Sequence, residues 1–324
     1  MRKLVTRAFS AKAIASLRGR TEEIATGLLD EMTARSTGTA HRADVMAEYA
    51  ALLPATVIAE MLGAPLSMRQ KFLEWGEGAA LSLDMGLTYR SFLRSERDIE
   101  ALNEWMLGHF DELRRNPGEN ILSDLVRRHD TEGALADDEL LSIATLLLAA
   151  GFETTVNLIG NGTKALLEHP DQLARLQAEP ELWPNAVDEI LRFESPVQRT
   201  ARVAARDTEV CGIPVKRGSV LVGHLGGANR DPQVFTDPST FDVGRAGADK
   251  HVSFSSGIHY CLGAALAKME GEVGLRALFD RFPEMRADGP SELRGTRVLR
   301  GYRSMPVRVD PAPVGDSSQV AAQV

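Results

Sequence analysis

Cysteine and positive charge are both scarce in this chain of 324 residues. It contains only two cysteines, Cys211 and Cys261, which are too few for a disulfide framework. Its 37 Lys and Arg are outnumbered by 45 Asp and Glu, which gives a formal net charge of −8. Proteins that bind nucleic acid usually present a concentrated basic face, so the composition argues against that class. The low cysteine content fits a reducing cytoplasm, where we expect the protein to act.

Long hydrophobic runs and several catalytic signatures are also missing. The longest apolar run, 140–151, is interrupted by Ser142 and Thr145, whereas a membrane-spanning helix needs about 20 apolar residues. We therefore expect no membrane segment. A G-x-S-x-G elbow, a Walker loop and a Rossmann G-x-G-x-x-G fingerprint do not occur, which argues against hydrolases and nucleotide-binding enzymes.

The chain has no linker that would divide it into two domains. Stretches rich in Pro, Gly or Ser do not interrupt residues 1–310, so we expect one domain there. Residues 311–324 are rich in Pro, Ser, Ala and Gln, and this composition predicts a disordered tail.

The most informative stretch is 254–263, which reads Phe-x-x-Gly-x-His-x-Cys-x-Gly. Gly257 permits a sharp turn, and apolar residues recur at helical spacing over 262–282, so Cys261 is expected where a helix begins. Backbone N–H groups at a helix start favour a thiolate. These features indicate a metal-binding cysteine, with a buried structural cysteine as the alternative. Zinc would need a second pair of closely spaced ligands besides His259 and Cys261, and the sequence has none.

This stretch resembles the haem-binding loop of the cytochrome P-450 superfamily of haem-thiolate monooxygenases. The resemblance implies a mainly α fold with small β-sheets and a haem b cofactor. Cys261 would be the axial ligand of the haem iron. The same resemblance assigns the following residues to the haem site, with the three cationic ones at the propionates: Arg2, Arg202, Phe254, Gly257, His259 and Gly263.

A second motif lies inside a long apolar segment that predicts a helix over 137–169. Gly151 removes a side chain, so a flat cofactor and O₂ could approach the helix there. Alternatively, Glu153 reaches solvent and Thr154 bonds back to a carbonyl. The segment 150–155, Ala-Gly-Phe-Glu-Thr-Thr, resembles the family's oxygen-activation motif. That resemblance places Ala150 and Gly151 at the haem, Thr154 at the dioxygen and Glu153 in proton delivery.

Glu189 and Arg192 lie three residues apart in a predicted helix over 183–193, where they can pair. The segment 231–245 resembles the family's coiled meander, whose Arg joins such a pair. By this resemblance Glu189, Arg192 and Arg245 form a buried triad that serves stability and haem retention.

The first twenty residues contain basic side chains and no acid, which superficially resembles a transit peptide. The competing interpretation is that the chain begins inside the family's N-terminal region, next to a missing His that would accompany Arg2. On that alignment the family's first strands, early helices and pocket-roof loop are absent. We further expect a helix over 44–62, with Pro54 as the site of a bend, and short strands between 200 and 222.

The resemblance implies insertion of one oxygen atom of O₂ into a small apolar substrate. The electrons would come from NAD(P)H through a ferredoxin and its reductase, docking near Cys261 with Lys268 among the local cations. Two alternatives stay open: a truncated haem-binding or non-catalytic remnant, and a peroxygenase that uses H₂O₂. The pairing of Glu153 with Thr154 favours the O₂-dependent monooxygenase.

Overall fold

A computed structural model describes residues 5–6, 9–35, 41–84, 86–133 and 135–310 of the chain. Arg2 and residues 311–324 lie outside the described residues, so what the sequence predicts for them stays a prediction. The α-helices in the described part are α1 (Ala11–Arg35), α2 (Leu52–Met61), α3 (Arg69–Leu81), α4 (Tyr89–Arg115), α5 (Ile121–Glu132), α6 (Asp137–Glu168), α7 (Pro170–Ala178), α8 (Trp183–Phe193), α9 (Leu225–Ala228) and α10 (Ala264–Arg281).

Helix α6 is the central element, because α2, α3, α4, α8 and α10 all pack against it. Asp137, Asp138 and Glu139 occupy its first turn, where the helix dipole favours negative charge. Of the helices that the structure describes, α6 alone is long and apolar enough to cross a membrane, and 61% of its most apolar window is buried in the protein. Such burial is typical of the core helix of a globular protein.

The strands are short and form small antiparallel sheets. They are β1 (Arg42–Asp44), β2 (Arg199–Val203), β3 (Thr208–Val210), β4 (Ile213–Val215), β5 (Val220–His224), β6 (Arg286–Ala287), β7 (Glu292–Leu293), β8 (Tyr302–Ser304) and β9 (Pro306–Arg308). A three-stranded sheet has the order β1-β9-β6, and three further pairs join β2 to β5, β3 to β4 and β7 to β8. The mainly helical fold with small sheets therefore agrees with the predicted class.

The predicted helix over 44–62 is confirmed for most of its length, but its start differs. Strand β1 pairs antiparallel with β9, Met46–Ala50 form a π-helix, and α2 starts only at Leu52. Pro54 is the third residue of α2, which continues directly from the π-helix. The bend expected at Pro54 stays a prediction.

Candidate active site

Cys261 lies in a turn between a 3₁₀-helix, Gly257–His259, and helix α10. The predicted helix start at Cys261 is wrong by three residues, because Gly263 occupies the N-cap position and α10 begins at Ala264. The backbone N–H of Cys261 instead donates to the carbonyl oxygen of Phe254 at 2.9 Å, which closes the loop. The cysteine is exposed, so the alternative of a buried structural cysteine is wrong.

The cysteine loop contains two residues in the left-handed region. Gly257 has a φ of 60°, as the predicted sharp turn requires, and Ser255 has a φ of 61°. A non-glycine residue in this region is uncommon and costs conformational energy. Together these turns hold the cysteine ahead of α10 instead of inside it.

Two cationic side chains predicted to bind propionates are exposed. Arg202 on β2 donates from Nη1 to the Thr200 hydroxyl at 2.9 Å and to the Ala201 carbonyl at 2.7 Å. His259 lies in the 3₁₀-helix beside the cysteine. Within the described residues neither of them forms an ion pair with a carboxylate, so both remain open to an acidic group of a ligand.

Phe254 packs the start of the cysteine loop against the hydrophobic core. Its ring is partly buried against the hydrophobic core, with ring centroids 5.7 Å from His251 and 6.3 Å from Tyr260. The ring thus anchors the start of the loop to the protein.

Helix α6 leaves one face uncovered. Leu146, Ala150 and Thr154 follow one another at a spacing of four, which places them on the same side of the helix. Leu146 is 64% exposed although it belongs to the central helix. Thr154 donates its hydroxyl to the Ala150 carbonyl at 3.3 Å, which is a long hydrogen bond. The bonding-back alternative therefore describes Thr154 in this structure.

Gly151 allows a close contact between two helices, whereas the sequence predicted that it makes room for a cofactor. A Cβ at this position would lie 2.9 Å from Cδ1 and Cγ1 of Ile58 in α2. The expectation that the missing side chain opens space for a cofactor is wrong on that side, because Ile58 fills it. The glycine lets α2 and α6 approach closely, and its burial is intermediate.

Glu153 is buried, at 4% exposure, so the alternative in which it reaches solvent is wrong. Its Oε1 lies 2.7 Å from Nη1 of Arg294, which follows strand β7. Burial raises the pKa of Glu153 above its ordinary value, Arg294 opposes that rise, and Glu77 adds to it. Arg294 was not predicted from the sequence, although Glu153, Asn157 and Asn161 form a polar series at a spacing of four in an apolar helix, which signals a buried polar contact.

Helix α10 crosses α6 one turn beyond Thr154. A Cβ on Gly271 would lie 2.8 Å from Cδ2 of Leu158, so the two helices touch at this point. Cys261 precedes α10, and Thr154 precedes Leu158 by one turn of α6. The crossing therefore fixes the cysteine loop relative to the uncovered face of α6.

The structure brings Glu189, Arg192 and Arg245 together. Nε and Nη2 of Arg192 donate to the two carboxylate oxygens of Glu189 at 2.6 and 2.8 Å, and Nε of Arg245 lies 3.1 Å from both oxygens. Glu189 and Arg192 are both 0% exposed. The other N–H groups of Arg192 donate to the carbonyls of Asn229, Pro238 and Thr240, so the guanidinium is fully bonded.

Lys268 forms an ion pair with Asp188. Its Nζ lies 2.7 Å from Oδ2 of Asp188, and Nε2 of His251 lies 3.2 Å from Oδ1. Burial alone would raise the pKa of Asp188, but hydrogen bonds from His251 and Lys268 outweigh it and lower the pKa. The predicted docking charge at Lys268 is thus largely neutralised by Asp188, and His251 serves the same carboxylate.

Glu270 in α10 is 1% exposed, and neither of its carboxylate oxygens has a hydrogen-bond partner in the described part of the chain. Burial raises its pKa well above the ordinary value. Because the folded state then binds the proton more tightly than the unfolded state, the contribution of Glu270 to stability is most favourable at low pH and falls as pH rises from the ordinary pKa to the raised one.

Glu270→Gln removes this titration, so we expect the variant to match the wild type near pH 4 and to exceed it in stability at pH 8. At pH values between the ordinary and the raised pKa, the difference in free energy of unfolding between variant and wild type grows by about 1.4 kcal/mol per pH unit. Urea unfolding across this pH range measures it, with Asp280→Asn in the same helix as the control, since Asp280 is 62% exposed. A gap that stays constant with pH contradicts the assignment.

The residues present fit a flat, apolar, iron-bearing group. A thiolate suits iron, and Arg202 and His259 suit carboxylates. The uncovered face of α6 offers apolar contact at Leu146 and Ala150. An all-protein metal centre does not fit, because no cluster of three or more His, Cys, Asp or Glu able to hold a metal ion occurs among the described residues.

Comparison with known proteins gives a consistent result. The family model for cytochrome P-450 matches residues 88–289. The chain is 50% identical over 314 residues to a putative cytochrome P-450 140 of Mycobacterium tuberculosis (strain ATCC 25618 / H37Rv), covering 96% of this chain and 71% of the relative. It is 41% identical over 314 residues to 6-deoxyerythronolide B hydroxylase of Saccharopolyspora erythraea, covering 96% and 75%.

Solved structures agree with the sequence comparisons. The cytochrome P-450 enzyme CxnD, which acts in C–S bond formation in chuangxinmycin biosynthesis, superposes with a TM-score of 0.88 at 34% identity, covering 96% of this chain and 75% of that one. CYP109E1 from Bacillus megaterium, solved in complex with testosterone, has a TM-score of 0.89 at 30% identity, covering 96% and 80%.

Proposed function

Because the chain belongs to the cytochrome P-450 family of haem b monooxygenases, we propose that it inserts one atom of O₂ into a small apolar organic substrate. The observation that carries the proposal is the crossing of α10 and α6. This crossing fixes an accessible cysteine relative to an apolar helix face that carries a threonine. Relatives named for the hydroxylation of 6-deoxyerythronolide B, or solved with testosterone, support an apolar organic substrate.

We assign the haem contacts as follows. Cys261 provides the thiolate ligand, and His259 and Arg202 hold the propionates, as does Arg2 by the family pattern. Phe254, Gly257 and Gly263 shape the cysteine loop, and Ala150 and Gly151 belong to the helix segment beside the haem. The buried triad of Glu189, Arg192 and Arg245 fixes the meander against α8 and thereby supports haem retention.

When bound, haem supplies dioxygen activation, and a thiolate ligand favours cleavage of the O–O bond. The chain's own residues position the substrate and manage protons. The Thr154 hydroxyl lies on the uncovered face of α6, where it can exchange its weak bond to the Ala150 carbonyl for a bond to dioxygen. Glu153 is the neighbouring acid, and burial raises its pKa, which favours a group that can hold a proton before passing it on.

Bacterial members of the family take electrons from redox partners such as ferredoxin. For this chain we propose NAD(P)H, a ferredoxin reductase and a ferredoxin that docks beside the Cys261 loop. Lys268 contributes little to that docking, because Asp188 neutralises it. The cytoplasm is the proposed location, and the net charge of −8 argues against a nucleic-acid partner.

Thr154→Ala tests the proposed role of the hydroxyl. We expect NAD(P)H consumption to continue while product formation falls by about 10²-fold, because general acid–base contributions begin near that size. The measurement is product formed per NAD(P)H consumed with a surrogate ferredoxin and reductase. Thr154→Ser retains the hydroxyl and should stay close to the wild type. Unchanged coupling in the alanine variant removes Thr154 from the mechanism.

A further inference from the structure

A cavity that is not part of the proposed haem site opens beside helix α5. It has a volume of about 1000 Å³ and lies between α5, the first turns of α1, the end of α2 and the last turn of α4. None of its lining residues belongs to α6 or to the Cys261 loop. Pockets for drug-sized molecules have volumes of about 300–1000 Å³, so one ligand of that size fits here.

The inner wall of this cavity is apolar. Met61, Leu113 and Val126 line it and are 8, 5 and 3% exposed. Leu17 and Ile121 also line it and pack, partly buried, against the hydrophobic core. An alkyl chain that lies against this wall loses contact with water, which favours its binding.

The outer rim of the cavity is charged, and two arginines there share one carboxylate. Arg127 donates from Nη2 to Oδ1 of Asp124, and Arg128 donates from Nε to Oδ2 of the same group at 2.8 Å. Burial alone would raise the pKa of Asp124, but hydrogen bonds from Arg128 and Arg127 outweigh it and lower the pKa. The carboxylate therefore stays charged near neutral pH, and the three side chains together carry one net positive charge.

Arg128 keeps two donor groups for a ligand. Its side chain is 23% exposed, and in the part of the chain that the structure describes its Nη1 and Nη2 have no hydrogen-bond partner. A guanidinium presents these N–H groups in a fixed fork that matches a carboxylate. Arg128 is therefore the group of the rim that suits an acidic ligand.

The other charges of the lining are placed differently. Arg114 donates to Asp130 at 3.0 and 3.1 Å and to Asp111 at 3.0 Å, so its charge is neutralised. Glu119 comes eight residues before Arg127, which corresponds to about 12 Å along a helix. The positive end of the cavity is therefore at Arg127 and Arg128, away from Glu119.

The loop 117–120 that borders the cavity is preformed. Asn120 is the N-cap of α5, and its Oδ1 accepts a hydrogen bond from the Ser123 backbone N–H at 2.9 Å. The Ser123 hydroxyl accepts another from the Gly118 backbone N–H at 3.0 Å. Because these bonds order the loop before a ligand enters, binding does not have to pay for that ordering.

We propose that this cavity binds an alkyl carboxylate of medium length, such as dodecanoate. The acidic group pairs with the Nη groups of Arg128 and with Arg127, and the alkyl chain lies against the apolar wall. A single-chain acid fits because the positive charge is confined to one end of the cavity, whereas the inner wall is apolar. The site lies outside the haem pocket, so a ligand bound here does not compete for that pocket.

Isothermal titration calorimetry measures the binding of dodecanoate, used below the concentration at which it forms micelles. The haem-loaded chain is first saturated with 4-phenylimidazole, which occupies the haem pocket by coordinating the iron. We expect dodecanoate still to bind. Arg128→Gln should weaken this binding about tenfold, because a hydrogen bond between charged groups is lost, and Arg128→Lys should weaken it less. If 4-phenylimidazole abolishes binding, dodecanoate occupies the haem pocket and the proposal is overturned.

Dodecanol and Arg115→Gln are the matched controls. Dodecanol has the same chain without the acid and should also bind about tenfold more weakly. Arg115 in α4 pairs with Glu112 at 2.9 Å and does not line the cavity, so its variant should bind dodecanoate like the wild type. Equal affinities for acid and alcohol, or equal losses in Arg128→Gln and Arg115→Gln, contradict the proposal.

A second measurement locates the ligand and depends neither on turnover nor on haem. The NMR signal of the Met61 methyl group, labelled with ¹³C and assigned through Met61→Leu, should shift on addition of dodecanoate in the haem-loaded and in the haem-free chain. Met285 is buried beyond the end of α10 and should not shift. If calorimetry detects binding while the Met61 signal stays in place, the ligand lies elsewhere and the cavity is not its site. A chain that forms no product refutes the proposed function and leaves this result unaffected.

Discussion

Glu189→Gln is expected to lower the free energy of unfolding by about 3–5 kcal/mol, because it leaves buried cations without their counter-charge. Arg192 is 0% exposed, and the side chain of Arg245 is 10% exposed. Arg192 would keep its carbonyl partners, so the loss is mainly that of the ionic bonds. Against a typical domain stability of about 5–15 kcal/mol, this change brings the variant close to unfolding.

Urea unfolding followed by helical circular dichroism measures the effect. Arg245→Gln retains the pair between Glu189 and Arg192, so it should lose less stability and stay measurable if the first variant does not fold. Arg276→Gln breaks an exposed pair with Asp280, and exposed pairs contribute about 0.2–1 kcal/mol. If Glu189→Gln costs no more than this surface control, the triad does not stabilise the fold as proposed.

Cys261→Ala should reduce monooxygenation to background in the haem-loaded chain. The alanine removes the one side chain of the loop that can supply a thiolate, and with it the electron donation that favours O–O cleavage. The loop itself should persist, because it is closed by the backbone bond from residue 261 to the Phe254 carbonyl. Product formation and haem content, measured on the same preparation, separate loss of chemistry from loss of cofactor.

The chain supplies a matched control for this prediction. Cys211 is the only other cysteine, and it is exposed in the β3–β4 turn, with a φ of 51° beside Gly212 at 78°. Cys211→Ser should leave product formation and haem content at wild-type levels. Wild-type turnover in Cys261→Ala, or equal losses in both variants, is incompatible with a ligand role that belongs to Cys261 alone.

The sequence predicted the elements whose signals are local. The helix predicted over 137–169 is confirmed as α6, which ends one residue earlier, at Glu168. It was predictable because its acidic first turn and its apolar periodicity lie within the segment itself. Helix α8 has the predicted bounds, 183–193. The pairing of Glu189 with Arg192 was likewise readable, since residues three apart on a helix are neighbours.

The features that were missed depend on distant parts of the chain. Residues 42–44 form a strand because they pair with β9, which lies far along the chain. The sequence around 42–44 contains no pattern that predicts this pairing. Gly151 faces Ile58 of another helix, and Glu153 pairs with Arg294 from the C-terminal hairpin. These contacts arise from tertiary packing, which hydrophobic periodicity and short motifs do not encode.

The most direct test of a thiolate-ligated haem at Cys261 is the absorption spectrum of the haem-loaded chain, reduced and exposed to CO. The wild type should show the strongly red-shifted Soret band typical of thiolate ligation, and Cys261→Ala should not. An unshifted band in the wild type, or the same spectrum from both proteins, would contradict the account.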